Sequence, residues 1–594
     1  MKTVFRLLTL LAAACAVAFS GLRCACCNSD GVPITGCRYD IVIPDEATSS
    51  ERTAALELSI YLGRVTGDRF AVVDESNRAA DRKGIFVGQC DYTQKTGRVD
   101  YAKLGLEGIR IFTADGHLVL TGDRRGVLDA VYEFLERYAG CRWFAEECIV
   151  VPKLKKLELP AVDLTYIPPL EYRDTDYLCI YSQPRLIVAN RLNGSYAFRR
   201  IRNEWGGAYQ YKGFVHTFNQ LVPPEKYGKE HPEYFSEING KRKTEGRTQL
   251  CLTNPDVLKI VIAEVKNRLR EAPDAIVSIS QNDWREYCRC AKCTELAEKE
   301  GSQSGPLIHF VNAVAREVRD EFPNSIVDTL AYTYTRKPPL YVKAEPNVVI
   351  RLCSIECCFA HPLESDPFNA SFVNDLKEWG KCCSRLHIWD YITNFHYAVT
   401  PFPNFRVIGP NIRFLSEHSV TGIFEEGNYF SRGGEMEQLR AYITARCLWD
   451  PSFDVEKGIE EFTDAYYGKA APKIREYLKL MHDYVTDATD RHLRIFDKPS
   501  KHYDKEIMDK AQAILKEAEA AVADDPEKLN RVELATMPVL YVRLFCRMDE
   551  GETREAMLTR FEELTKRVPK MRLGESTATT VAKFLKEMRE PAKE

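Results

Sequence analysis

The sequence predicts an α/β protein with a central (β/α)8 TIM-like barrel, an N-terminal α/β domain and a C-terminal helical domain. Three observations lead to this fold class. The chain has 594 residues, too many for one ordinary domain. Short apolar runs alternate with helical stretches between residues 170 and 450, as in a barrel of that size. Beyond Trp449-Asp450-Pro451 the strand signals fade and helical patterns continue to the end.

Residues 1–20 have the features of a secretory signal peptide. Two basic residues precede the apolar run Leu7–Phe19, which is too short to span a bilayer, and small residues suit cleavage before Gly21. We therefore expect an exported protein: periplasmic, secreted or at the cell surface. A lipid anchor at Cys15 or Cys24 is the alternative, although neither has leucine at the usual position before it. No later apolar run is long enough to span a membrane.

Residues 38–165 are predicted to form the N-terminal α/β domain. Apolar runs closed by glycine indicate buried strands, and apolar residues at helical spacing indicate helices. The predicted strands are Tyr39–Ile43, Gly84–Gly88 and His117–Gly122, and the predicted helices are Ser50–Gly67 and Gly126–Tyr138. The proline-containing stretch 159–169 is interpreted as a linker.

Residues 170–450 are predicted to form the catalytic barrel. The eight candidate strands are Leu170–Arg173, Gly213–His216, Gln249–Leu252, Ala275–Ser280, Ile326–Ala331, Val348–Leu352, Leu386–Trp389 and Thr421–Phe424. The remaining residues, 451–594, contain the charged amphipathic patterns Glu506–Ala523 and Thr553–Val568. This helical domain is expected to serve packing rather than catalysis.

Composition and the absence of certain motifs disfavour several classes of function. The 82 basic and 86 acidic residues give a net charge of −4, and no basic stripe with interleaved aromatics indicates a nucleic-acid binder. The sequence has no G-x-S-x-G, H-E-x-x-H or P-loop motif, which disfavours serine hydrolases, metalloproteases and nucleotide-dependent enzymes. We expect no cofactor and no catalytic metal.

Three of the 20 cysteines form a tight cluster: Cys288, Cys290 and Cys293. Thiolates at this spacing can bind zinc, but a structural zinc site normally has four ligands and the sequence does not reveal the fourth. A local disulfide or a metal that fastens a loop is favoured over a catalytic metal.

The residues that follow the predicted strands provide the candidate site, because barrel enzymes place their active sites at the carboxyl ends of the strands. Carboxylates among aromatic side chains resemble a sugar-cleaving site, which needs an acid for the leaving oxygen and flat apolar faces for the sugar ring. The candidates are His216, Asn282, Asp283, Tyr332, Tyr334, Glu356, Trp389, Asp390, Tyr391 and Glu425.

Each of these residues also has an ordinary structural interpretation. A carboxylate at a strand end can cap the next helix or pair with arginine, and the two tyrosines on one strand face could belong to the barrel core. Strand alternation allows at most one of Glu425 and Glu426 to face the opening.

Several long motifs occur in the order found in the family known as domain of unknown function 4838, which this chain resembles from about 40 to 480. They are Ser278-Ile-Ser-Gln-Asn-Asp-Trp284, Tyr287-Cys-Arg-Cys-Ala-Lys-Cys293, Gly305-Pro306-Leu307, Glu356-Cys-Cys-Phe-Ala-His361, Ile388-Trp-Asp-Tyr391 and Leu448-Trp-Asp-Pro451. Residues 38–150 also resemble the N-terminal domain of α-glucuronidases and β-hexosaminidases.

This resemblance implies a glycoside hydrolase of family 163, with endo-β-N-acetylglucosaminidase activity on N-glycans of glycoproteins. By similarity to related barrels, Asp283 is expected to act as the acid/base while Asn282 contacts the substrate amide. An α-glucuronidase-like arrangement would instead pair Asp283 with Glu356 and Asp390. The expected substrate contacts are His216, Tyr332, Tyr334, Trp389, Tyr391 and Glu425. The alternatives are a glycosidase of other specificity, α-glucuronidase-like or exo-β-hexosaminidase, and a non-catalytic carbohydrate-binding protein.

Overall fold

The structure is a computed structural model that describes residues 33–487, 490–549, 553–569 and 571–590. The predicted signal peptide, residues 1–20, and the candidate lipidation sites Cys15 and Cys24 lie outside these ranges. None of the helices in the described ranges is both long and apolar enough to cross a bilayer.

The N-terminal part of the chain forms a six-stranded sheet covered by helices. In chain order its elements are β1 (Tyr39–Ile43), α1 (Ser49–Thr66), β2 (Val72–Asp74), β3 (Lys83–Val87), α2 (Asp91–Lys95), α3 (Tyr101–Leu104), β4 (Ile109–Ala114), β5 (His117–Gly122), α4 (Arg124–Arg137), β6 (Arg142–Ala145), β7 (Cys148–Val150) and β8 (Asp163–Tyr166). The strand order is β2-β1-β3-β5-β4-β8, and β6 pairs with β7 separately. Helix α1 begins at a capping box of Thr48 and Glu51 and ends at Gly67, whose φ of 81° suits glycine.

The predicted linker 159–169 is partly wrong, because β8 lies within it and pairs antiparallel with β4. The prolines at 160, 168 and 169 flank β8 rather than interrupt it, so its backbone amides remain available for the ladder. Leu164 and Tyr166 are half-buried while Asp163 and Thr165 are exposed, as expected for a strand that covers one face.

The central part contains one curled parallel sheet. Its strands and helices, with an inserted hairpin, are β9 (Tyr172–Thr175), α5 (Pro184–Ala189), α6 (Ser195–Phe198), β10 (Tyr211–Lys212), α7 (Phe218–Leu221), α8 (Pro224–Tyr227), β11 (Glu237–Ile238), β12 (Lys241–Arg242), α9 (Pro255–Glu271), β13 (Ile276–Ser278), α10 (Ala291–Lys299), α11 (Ser304–Arg319), β14 (Ile326–Ala331), β15 (Val348–Cys353), α12 (Ala370–Cys382), β16 (Leu386–Tyr391), α13 (Phe405–Glu417), β17 (Val420–Glu426) and α14 (Glu437–Trp449).

The predicted (β/α)8 barrel is confirmed only as a curled parallel sheet. The sheet has seven strands rather than eight, in the order β10-β13-β14-β15-β16-β17-β9. The predicted third strand, Gln249–Leu252, is absent from it because β10 pairs directly with β13. Leu250 instead forms an isolated antiparallel bridge with Phe235, beside the β11–β12 hairpin. The edge strands β9 and β10 approach each other where the rings of Tyr172 and Tyr211 lie 6.0 Å apart, so the sheet curls towards closure.

A buried ion pair lies inside the curled sheet. Arg351 on β15 donates to both carboxylate oxygens of Asp328 on β14, at 3.1 and 2.7 Å, and the two side chains are almost fully buried. The same guanidinium donates to the carbonyl oxygen of Phe214 at 2.5 Å and lies 5.1 Å from the ring centre of Trp389. The pair therefore supports aromatic residues near the carboxyl ends of the strands.

Helices follow the sheet to the end of the described chain. They are α15 (Val455–Tyr467), α16 (Ala471–Thr486), α17 (Pro499–His502), α18 (Lys505–Ala521), α19 (Pro526–Phe545), α20 (Arg554–Lys566) and α21 (Val581–Arg589). Helix α19 lies in the region predicted to be helical, but no pattern marks it individually, because its apolar residues do not form a single stripe and it contains Pro538. It also contacts the N-terminal part of the chain, since Arg531 donates to the carbonyl oxygen of Glu147 at 2.8 Å.

Candidate active site

A cleft of about 150 Å³ lies at the carboxyl ends of the parallel strands. This is the edge at which barrel-like α/β enzymes place their catalytic residues. The cleft is lined by Val215, His216, Asp283, Leu330, Tyr332, Cys353, Ile355, Trp389, Tyr391, Phe395, Glu426, Ile495, Phe496 and Glu575. Five predicted site residues are thus brought together: His216, Asp283, Tyr332, Trp389 and Tyr391.

Glu426, the last residue of β17, is the most perturbed carboxyl group in the lining. Burial raises its pKa to about 8, and the nearby Glu575 adds to the effect. The indole Nε1 of Trp389 donates to its Oε2 at 2.7 Å, which fixes the orientation of the carboxyl group. A carboxyl group with this pKa is largely protonated at neutral pH, as a general acid must be.

A second acid lies behind Glu426. Asp176 follows β9, is almost fully buried, and accepts a hydrogen bond from the backbone amide of Gly427 at 2.5 Å. Burial, and the unfavourable interaction with Glu426 when both groups are ionised, raise the pKa of Asp176 well above its usual value. Two buried carboxyl groups this close disfavour simultaneous ionisation, so the pair tends to retain a proton.

In contrast to the carboxyl groups of Glu426 and Asp176, Asp283 is exposed and lies in the loop that follows β13. Its Oδ1 accepts a hydrogen bond from the hydroxyl of Tyr332 at 3.3 Å. The ring of His216 lies 6.0 Å from that of Tyr332, and its Nδ1 is 2.7 Å from the carbonyl oxygen of Gln281. Because a carbonyl oxygen only accepts, Nδ1 carries the hydrogen of this contact. His216 has a φ of 55°, uncommon for a non-glycine residue.

The structure places Asp390 and Glu425 outside the cleft, which corrects their predicted roles. Asp390 is paired with Glu425, and Tyr391 with Glu426, in the register of β16 and β17. Side chains alternate along a strand, so the first pair points away from the cleft when the second points into it. Both are buried, Ser354 donates to Asp390, and burial raises the pKa of each.

Glu356 and Asn282 lie near the cleft but are held by other groups. Glu356 forms an ion pair with Arg336 at 3.2 Å and does not line the cleft. The amide nitrogen of Asn282 donates to Asn219 at 2.8 Å and to the carbonyl oxygen of Thr248 at 2.7 Å, so both of its hydrogens are engaged. A contact between Asn282 and a substrate amide would therefore have to be made by its Oδ1, which already accepts from the backbone amide of Asn219 at 3.2 Å.

Tyr334 also lies outside the cleft. Residue spacing predicts a continuous strand through Tyr332 and Tyr334, which would place both side chains on one face. Strand β14 ends at Ala331, and the chain then turns through Thr333, whose φ is 50°. The turn directs Tyr334 towards Tyr287, with ring centres 5.2 Å apart.

Three lining residues come from the region expected only to pack. Ile495, Phe496 and Glu575 reach the cleft from loops between the C-terminal helices. Glu575 is fixed by its backbone amide, which donates to the carbonyl oxygen of Phe395 at 2.7 Å, and by the hydroxyl of Tyr429. No local motif marks these residues, because their position depends on how distant segments pack.

A larger cavity of about 570 Å³ lies elsewhere, between α14, α15 and α19. Its three arginines are each paired with a glutamate: Arg432 with Glu437, Arg531 with Glu527, and Arg567 with Glu533. Glu147, which also lines the cavity, accepts a hydrogen bond from the hydroxyl of Tyr466 at 2.7 Å. This cavity lies among helices rather than at the carboxyl ends of the parallel strands, where barrel-like enzymes place their catalytic residues. The smaller cleft is therefore the candidate active site.

The sequence matches the family described as "Domain of unknown function (DUF4838)" over residues 143–479. No curated protein matches the chain. Among solved structures, the chain is similar to a family GH115 4-O-methyl-α-glucuronidase with specificity for decorated arabinogalactans. The identity is 12%, the alignment covers 94% of this chain and 80% of the other, and the TM-score is 0.55. This similarity shows the fold.

Two further solved structures align with lower scores. A family 89 glycoside hydrolase from Clostridium perfringens has 10% identity, coverage of 87% of this chain and 65% of its own, and a TM-score of 0.49. A chitobiase from Flavobacterium johnsoniae has 11% identity, coverage of 94% and 97%, and a TM-score of 0.45.

Proposed function

The chain belongs to the DUF4838 family, and from that premise we propose that it is a glycoside hydrolase. More specifically, we propose an endo-β-N-acetylglucosaminidase that cleaves N-glycans of glycoproteins with retention of configuration. The juxtaposition of Glu426 and Asp283 with Trp389, Tyr332 and Tyr391 in one cleft supports the proposal best. It offers two carboxyl groups for acid and base chemistry and flat faces for a sugar ring.

The environments of the two carboxyl groups suggest different roles for them. Glu426 retains its proton near neutral pH and can donate it to the leaving glycosidic oxygen. Asp283 is exposed and bonded to the hydroxyl of Tyr332, so it is suited to orient the 2-acetamido group of the substrate. The acetamido oxygen would bond to the anomeric carbon as the glycosidic bond breaks, and water, deprotonated by Glu426, would then open that ring, which gives retention. This assignment moves the acid role expected for Asp283 to Glu426.

The charge of the cleft favours a neutral sugar. Among the described residues, no lysine or arginine lines it. A uronic acid carries a carboxylate that is normally met by a cationic side chain, whereas N-acetylglucosamine needs only hydrogen-bonding and apolar groups. The fold similarity to an α-glucuronidase makes uronic-acid glycans the second candidate substrate class, which the lining does not favour.

Mass spectrometry of a complex-type N-glycoprotein incubated with the purified chain tests the proposal. We expect free glycans that lack one core N-acetylglucosamine, with that sugar left on the protein. The Asp283→Asn chain should release none while retaining the melting temperature of the unmodified chain. Release of single sugars would contradict endo action.

Uronosyl glycans serve as the comparison substrates. Cleavage of these, but not of N-glycoproteins, would replace the proposed substrate class with the second one. Proton NMR of the first product formed checks the stereochemistry, and an initial α-anomer would contradict retention.

A further inference from the structure

Four cysteines meet beside the candidate active site. The sulfur atoms of Cys251, Cys288, Cys290 and Cys293 all lie within 4.8 Å of one another. Sγ of Cys251 is 3.7 Å from that of Cys290 and 3.9 Å from that of Cys293. The three closely spaced cysteines were visible in the sequence, and Cys251 brings a fourth sulfur atom to them that the sequence did not reveal.

These separations fit a tetrahedral metal site. With zinc–sulfur bonds of about 2.3 Å, tetrahedral geometry places the sulfur atoms about 3.8 Å apart. A disulfide requires about 2.05 Å. Four thiolates in this arrangement provide the closed ligand set typical of structural zinc.

The surroundings stabilise thiolate charge. The backbone amide of Glu237 donates to Sγ of Cys288 at 3.3 Å, and the guanidinium of Arg242 lies 3.6 Å from the same sulfur. Cys290 and Cys293 lie at the start of helix α10, where the helix dipole favours negative charge. Such groups are the outer partners that metal-bound thiolates commonly have.

We propose that Cys251, Cys288, Cys290 and Cys293 bind one structural zinc ion. The ion would fasten the inserted β11–β12 hairpin to the loop that carries Asp283. Gln249, two residues from Cys251, continues this connection: its side chain accepts from the amide of Asn282 at 2.9 Å and donates to the carbonyl oxygens of Asn282 and Trp284, at 2.8 and 2.7 Å. Zinc binding here does not depend on the proposed activity.

Metal content of the full chain, purified without chelators, tests this site. We expect Cys251→Ser and Cys293→Ser each to lose one zinc equivalent per chain. Cys37→Ser, a change at an exposed cysteine outside the cluster, should lose none. If the serine variants fail to fold, thiol titration of the unmodified chain decides: a mercurial reagent should release that zinc as four thiols react. Disulfides among these four cysteines, or no zinc, would overturn the proposal.

A second group of metal-ligating residues carries an independent inference. Cys358, His361, Asp366 and His492 offer ligand atoms within 4.8 Å of one another. Nδ1 of His361 is 3.4 Å from Sγ of Cys358, and Oδ2 of Asp366 is 3.4 Å from Nδ1 of each histidine. Oδ2 of Asp366 and Nδ1 of His492 are buried without a hydrogen-bond partner among the described residues. Unpaired polar atoms that converge in this way are expected where an ion supplies the missing interaction.

We infer that this group binds a second zinc ion, with mixed nitrogen, oxygen and sulfur ligands. It would fasten the segment after α16 to the loop after β15. The same segment is bonded to that loop through Leu493, whose carbonyl oxygen accepts from Phe359 at 3.0 Å, and it supplies Ile495 and Phe496 to the cleft.

The two sites serve as controls for each other. The unmodified chain should hold two zinc ions, His492→Ala and Asp366→Asn should each hold one, and His231→Gln, at an exposed histidine, should hold two. X-ray absorption of the His492→Ala chain should show sulfur ligands alone. A zinc content that His492→Ala and Asp366→Asn leave unchanged would overturn the second site without affecting the first.

Discussion

Replacing Glu426 with glutamine is expected to lower kcat/KM for glycan release by about 10²–10⁴-fold, the usual contribution of a general acid. Glutamine keeps the size of the side chain but has no proton to give to the leaving oxygen. Trp389 can still donate to the amide oxygen at this position, so the cleft should keep its shape. Steady-state kinetics on a released-glycan assay measures the loss.

The pH profile separates this role from a structural one. Since the acid must be protonated, activity of the unmodified chain should fall as pH rises through about 8, the pKa of Glu426. The residual activity of Glu426→Gln should lack that alkaline decline. A substrate whose leaving group needs no protonation should be cleaved at a rate much less affected by the change.

At alkaline pH, Glu426→Gln should raise the stability of the folded chain although it lowers its activity. An unfolded glutamate has a pKa of about 4.3, whereas folded Glu426 has a pKa of about 8. The folded carboxyl group therefore disfavours ionisation, and its contribution to stability is lost as pH rises between these values. Glu426→Gln should melt at a higher temperature than the unmodified chain at pH 9, which would show that lost activity is not lost folding.

Glu425→Gln is the matched control, because its side chain lies one position earlier on β17 and points away from the cleft. It should keep kcat/KM within a few-fold and the same alkaline decline. If Glu425→Gln lost activity like Glu426→Gln, or if Glu426→Gln retained near-normal turnover, the acid role of Glu426 would be wrong.

The contrast between Glu425 and Glu426 shows what the sequence could predict about the site. The rule that barrel-like sites lie after the strands pointed to both glutamates, together with Asp283, Tyr332 and Trp389. Of the two, Glu425 was the predicted site residue, whereas Glu426 is the one that lines the cleft. Which of the two adjacent glutamates faces inward depends on the phase of β17, and that phase is set by its pairing with β16. A run of seven residues that is buried almost throughout does not reveal its inward face.

Features that depend on the packing of residues far apart in the sequence were not predictable. Gln249–Leu252 is as apolar as a short strand, yet it lies beside an inserted hairpin, where Cys251 meets cysteines about 40 residues further on. Glu575 reaches the cleft from the C-terminal region. The parallel strands themselves were largely predictable, because strands buried on both faces produce continuous apolar runs.

The buried ion pair beneath the cleft gives the largest expected effect on stability. Asp328→Asn should lower the free energy of unfolding by about 3–5 kcal/mol, since it leaves the guanidinium of Arg351 buried without a countercharge. The substituted side chain has nearly the same shape, so the loss reports charge rather than a cavity. The midpoint of urea unfolding, followed by tryptophan fluorescence, measures it.

A second substitution tests the cause. Arg351→Met, added to Asp328→Asn, removes the unpaired charge and fills most of the space of the guanidinium stem. Because replacing a whole buried ion pair with apolar groups is often neutral or stabilising, the double variant should recover most of the loss. A double variant less stable than Asp328→Asn alone would contradict this explanation.

The ion pair also connects stability to the site. Arg351 holds the carbonyl oxygen of Phe214 and lies 5.1 Å from the ring centre of Trp389, which orients Glu426. In the double variant the fold should recover while these contacts do not, so kcat/KM should stay below that of the unmodified chain. Recovery of both together would show that the pair serves only to stabilise the sheet. Persistent loss of activity in a stable double variant would show that Arg351 also positions Trp389, and through it the acid Glu426.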